Sequence, residues 1–188
     1  MSALSVLNYP VRRDVKSLTT VLGEIESPSP VKATFVEDRY GTFVVVGDAV
    51  ASPSAGALTL AGRFIEGNMK PDRTLRLIAP VTEETADAAI PAASDTDTLR
   101  ATVAAIEHGD LVRAGLFVRT YGSFTITGHA VWSDVADAFL VGGWFISAEG
   151  APSARLESIE VLATAAEHGG PVPARITAAL DDTSATAL

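Results

Sequence analysis

Tyr40–Val50 reads YGTFVVVGDAV, and Tyr121–Val131 reads YGSFTITGHAV. The shared Tyr, Gly, Phe, Gly, Ala and Val are not a local coincidence. A shift of 81 residues aligns 14–81 with 95–162 without a gap. Identical pairs run from Asp14/Asp95 and Leu18/Leu99 through Gly62/Gly143 and Phe64/Phe145 to Ile78/Ile159. Two strands that merely share β composition would not keep register over such a length, so the pattern predicts a tandem duplication.

Each copy opens with a helical period. Leu18, Leu22 and Ile25, and in the second copy Leu99, Val103 and Ile106, fall at i, i+4, i+7 on one face. Asp14 or Ser17, and Asp95 or Asp97, are the candidate N-caps. Four strand-like runs follow: 31–37, 42–50, 57–66 and 74–79, matched by 112–119, 123–131, 138–147 and 155–161. Short turns favour antiparallel neighbours. In 123–131, Phe124, Ile126, Gly128 and Ala130 alternate with Ser123, Thr125, Thr127 and His129, which predicts one core face and one wet face. The pairs Gly47/Gly128 and Gly62/Gly143 inside these runs indicate bends or a close approach of another backbone.

The fold expected is therefore α+β and predominantly antiparallel β. It is a duplicated helix plus four-stranded bent meander, small-barrel-like or a curved sheet, with pseudo-two-fold symmetry. In architecture alone, without a family motif, this order resembles SH3-like or Sm-like barrels and equally cystatin-like sheets wrapped on a helix. The organisation expected is a first repeat over 14–81, a linker over 82–94, a second repeat over 95–162 and a C-terminal extension over 163–188. Within the linker, Glu83–Ile90 is a weak helical candidate; Ile176–Leu180 is a helical turn or a docking strand, and the final DDTSATAL is expected to fray.

Composition excludes several chemistries. The 188 residues contain no cysteine, which removes disulfides, thiolate catalysis and cysteine–zinc sites and fits a reducing cytoplasm. No apolar run approaches the ~18 residues of a spanning helix, and the first residues lack the layout of a secretory signal. These readings predict a cytoplasmic protein with no membrane partner. The net charge is −9 and uneven: residues 1–90 carry 9 basic and 11 acidic residues, residues 91–188 carry 5 and 12. Without clustered Lys and Arg to displace counterions, nucleic-acid binding is disfavoured.

No G-x-S-x-G, P-loop or G-x-G-x-x-G pattern is present, and no H-x-x-x-H or H-x-H spacing, so neither cofactor nor metal is expected. His108 and His168 each follow Glu and precede Gly, as helix C-caps do. His129 stands on the polar strand face opposite Asp48 in the alignment; symmetry could bring the two into a His–Asp pair, although two unrelated exposed polar residues are the plainer account. Trp132 and Trp144 replace Ala51 and Arg63 of the first copy. Trp144 is assigned to the strand face opposite Phe145, toward the other unit, a partner or a ligand groove. The candidate binding residues are thus His129, Asp48, Trp132, Trp144, Arg119 and Arg63.

The leading expectation is a non-catalytic binding or assembly module with a protein partner or a homo-oligomeric state. A nucleic-acid-binding small barrel, and a small-ligand protein or enzyme with a cleft between the repeats, are the alternatives.

Overall fold

The protein is described by a computed structural model covering residues 15–52, 57–67, 70–81, 93–150 and 153–177. The helical period over Leu18–Ile25 forms α1 (Val15–Glu24), and its counterpart forms α2 (Thr96–Ala105). Asp95 is the N-cap of α2, its Oδ1 accepting from the backbone N–H of Asp97 and Thr98, two donors a helix start would otherwise leave open. Asp14, the linker helix candidate, Asn68, Met69 and residues 178–188 lie outside the described residues.

Between the helices run β1 (Ser29–Glu37), β2 (Gly41–Ala51), β3 (Ala57–Leu60), β4 (Arg63–Gly67), β5 (Lys70–Pro71) and β6 (Leu75–Pro80). After α2 come β7 (Leu111–Val118), β8 (Gly122–His129), β9 (Val131–Ser133), β10 (Ala138–Val141), β11 (Trp144–Ile146) and β12 (Ala154–Ala163). A four-residue helix, α3 (Ala165–His168), ends on Gly169 in the left-handed conformation, as the His168-Gly169 pair predicts. The chain then runs on as a strap to Thr177.

Among the described residues all strand pairs are antiparallel apart from one isolated parallel bridge, Ser133 to Ile176. Six strands lie side by side in the order β6-β1-β2-β8-β7-β12, and β3, β4 and β5 continue from the far end of β2. β9, β10 and β11 form a separate three-stranded sheet. Among the described residues β6 and β12 do not pair with each other, so the large sheet is open; the small-barrel form of the expectation is corrected to an open sheet.

The central pairing joins β2 to β8: Val44, Val45 and Val46 face Thr127, Ile126 and Thr125. Close approach there explains two strand glycines. A Cβ on Gly47 would lie 2.8 Å from Phe124 Cβ, and one on Gly128 would lie 2.8 Å from Phe43 Cβ. Phe43 stacks on Phe35, and the same core takes in Val45, Ile126, Leu75, Ile65, Val112 and Val141, with Leu18 and Leu22 of α1 and Leu99 of α2.

Two further expectations change. Gly62 and Gly143 do not bend strands: with Ala61 and Gly142 they form two-residue turns at positive φ, so each third run is a hairpin rather than one strand. The face of Thr125, Thr127 and His129, expected to be wet, is buried at 2%, 6% and 4% exposure. β8 is a central strand, and its cross-strand neighbours on that face include Val44 beside Thr127 and Leu111 beside His129.

Candidate functional site

The six sequence candidates do not gather at one place. Asp48 is exposed on β2 and His129 is buried on β8, on opposite sides of the Val45–Ile126 pair. The register sets His129 six residues of strand from the position facing Asp48, about 20 Å. A His–Asp pair is therefore not formed.

Arg119 sits exposed in the β7–β8 turn, its N–H donating to Ser153 O. Arg63 pairs with Glu37 and donates to Gly142 O, its guanidinium 4.7 Å from the Phe43 ring centroid. It bolts the β3–β4 hairpin to the β10–β11 turn. Trp144 packs edge-on to Tyr121 and at 5.2 Å from Phe124, beside the core, while Phe145 is 57% exposed. Uninterrupted alternation through Phe139, Val141, Gly143 and Phe145 places Phe145 on the core face; that expectation is reversed, because the hairpin turn at Gly142-Gly143 resets which side chains of β11 face in.

Trp132 and the histidines lie elsewhere, and they do converge. His129 Nδ1 lies 2.9 Å from Gly109 O; a carbonyl only accepts, so Nδ1 carries the proton. The His168 ring meets the His129 ring edge-on at 4.8 Å, and its Nδ1 is buried with no hydrogen-bond partner among the described residues. His108 is not a helix cap, since α2 ends at Ala105 and Ile106 is already extended. Its Nδ1 accepts the Trp132 backbone N–H at 3.1 Å, and Pro173 supplies a backbone carbonyl to the same ring. Burial, with Arg175 beside it, holds His108 below the usual histidine range; burial also lowers His129, against the Gly109 carbonyl that favours its protonated ring, and the neighbouring His168 and His108 add to the lowering.

Asp110 ties this region together. It is 4% exposed, and its carboxylate accepts from the N–H of Glu107 and of Ala165, linking the exit of α2 to α3.

Beside this cluster opens a cleft of about 470 Å³, lined by Ile106, Glu107, His108, Trp132, Phe139 and Arg175. Trp132 and Phe139 meet edge-to-face at 4.9 Å, and the Trp132 indole N–H donates to Asp134. Across that aromatic pair lies a second hollow of about 350 Å³, where Val103, Asp137 and Ile146 contribute. The arrangement offers an aromatic ridge with a cation and carboxylates at its margins, suited to binding. Among the described residues no group of three or more His, Asp and Glu side chains is placed to hold a metal ion, and no helix is long and apolar enough to cross a membrane.

Trp132 is legible as a candidate because the residue aligned with it under the 81-residue shift is Ala51. Phe139, Arg175, Glu107 and Asp110 are not, since each looks ordinary until the fold assembles them. The chain matches no family model, no curated protein and no solved structure. A functional reading rests on this geometry alone.

Proposed function

We propose that this protein is a non-catalytic binding module made from a duplicated α+β unit, whose second copy has acquired a recognition cleft for a protein partner. The duplication is supported by strand registers that repeat under the 81-residue shift. Val31 faces Gly47 as Val112 faces Gly128, and Leu60 faces Arg63 as Val141 faces Trp144. The β1–β6 and β7–β12 ladders slip at equivalent places, between Thr34 and Phe35 and between Gly115 and Leu116. A pseudo-two-fold relation is supported by the seam, where Val45 faces its own counterpart Ile126, and by the reciprocal contacts of Gly47 with Phe124 and Gly128 with Phe43.

The observation that carries the function is the cleft at Trp132. The aligned position in the first copy is Ala51, which offers no aromatic surface. A half-buried tryptophan on an aromatic neighbour, with Arg175 and Glu107 at the margin, has the composition of a protein-binding hot spot. A phosphate backbone would meet Glu107 and a chain of net charge −9.

Selection of a displayed random-peptide library on the full chain tests this reading. Peptides are expected that bind the native chain and lose at least tenfold in affinity to Trp132→Ala, while Arg119→Ala leaves binding unchanged. Recovery of no binder, or of binders indifferent to Trp132→Ala, would contradict it.

A further inference from the structure

The outer edge of β9 is already partly occupied. Ile176 N–H donates to Trp132 O at 3.0 Å, and Asp134 N–H donates to Ile176 O at 2.9 Å, making the isolated parallel bridge with Ser133. The Ile176 side chain is 9% exposed and joins the core, whereas Val172, Ala174 and Arg175 around it are exposed. Two backbone bonds and one buried aliphatic side chain are the elements by which an extended peptide adds to a sheet edge. With the Pro173 carbonyl on the His108 ring, these bonds engage two residues of the strap, Pro173 and Ile176, and so short an attachment leaves the segment replaceable.

Charge points to what would replace it. The strap brings Arg175 to a cleft that also contains Glu107, next to a hollow with Asp137 and a ridge bonded to Asp134. The edge is also particular to the second half. Where Asp134 supplies its N–H, the aligned residue of the first half is Pro53, which has none.

We infer that the β9 edge is a strand-accepting peptide site, held in cis by residues 171–177, and that a partner's extended segment with an aliphatic residue preceded by a basic one displaces them. This rests on the Trp132 cleft being the recognition site. The strap then acts as a built-in competitor, so affinity in trans reports the strap's own hold as well as the partner's contacts.

The test uses a fluorescein-labelled peptide of residues 171–177, PVPARIT, titrated into the full chain and into full-length Ile176→Asp by fluorescence anisotropy. The variant, which empties the edge, is expected to bind at least tenfold more tightly than the native chain. A peptide carrying Asp in place of Ile should not bind, and one carrying Glu in place of Arg should bind several-fold more weakly. A folded Ile176→Asp chain that binds no better than the native one, or that binds all three peptides alike, would overturn the inference. Should Ile176→Asp fail to fold, hydrogen exchange on the native chain decides: excess PVPARIT should accelerate exchange in 171–177 while the Asp134 amide stays protected, and unchanged exchange in the strap would overturn it. Library peptides that need Trp132, together with no effect of PVPARIT, would leave the cleft in place and remove strand addition alone.

Discussion

His108 aligns with Ser27, and both side chains accept a backbone N–H from aligned strand residues, Trp132 at 3.1 Å and Ala51 at 2.8 Å. Exchange of a hydroxyl for an imidazole keeps that bond and makes it titratable, because a protonated ring has no lone pair to offer at Nδ1. Burial favours the neutral form of His129 and outweighs the Nδ1–H bond to Gly109 O, which favours the protonated ring, and protonation would set charge against His168 and His108 nearby. Arg175 adds a further positive charge, while Glu107 and the hydrogen-bonded Asp110 stand on the other side of the balance. Both His108 and His129 are held below the ordinary value, so below about pH 6.5 the unfolded chain binds more protons than the folded one. Stability contributed by neutral histidines is therefore full above that pH and falls as pH drops through it toward the folded values. Thermal melts should show Tm declining between pH 7.5 and 5.5, and His129→Asn, which keeps a donor for Gly109 O, should flatten the decline. A Tm that rises on acidification in that range would contradict this account.

At the scale of elements, β2 and β8 are the strands on which the architecture turns. Gly47 and Gly128 let them approach, each leaving room for the phenylalanine of the other strand. Gly47→Ala and Gly128→Ala should each destabilise by about 1–3 kcal/mol through overpacking, read as a lower urea midpoint with an unchanged m-value. A neutral or stabilising effect at either position would mean the strands can move apart at no cost. These glycines were legible as sites of close approach because they interrupt strongly β-forming runs. The same reading fails for Gly62 and Gly143, since the first turn carries little signal: at its leading position Ala61 takes φ 49° despite its side chain, where the aligned Gly142 suits the conformation. That missed turn also hid the exchange of sides between Trp144 and Phe145. The burial of Thr125, Thr127 and His129 was missed for a different reason. Alternation separates two faces, and it does not say that the polar one belongs to a central strand.

For the molecule as a whole, the β-rich, mainly antiparallel class and helices α1 and α2 could be read from the chain, because periodicity and capping are local. The seam between β2 and β8 and the meeting of His108, His129 and His168 could not, because both depend on how distant segments pack. The cleft combines the exit of α2, β9, β10 and the strap, four segments that no spacing rule connects. Its one legible member, Trp132, was visible only by comparison with Ala51 in the aligned segment. The most direct measurement of its role is a ¹⁵N–¹H NMR titration of the whole chain with the tightest peptide recovered by selection. Shifts are expected to centre on the Trp132 indole, Asp134, Phe139 and Ile176, with Asp48, Arg119 and Ala51 unmoved. Shifts centred anywhere else on the molecule would contradict it.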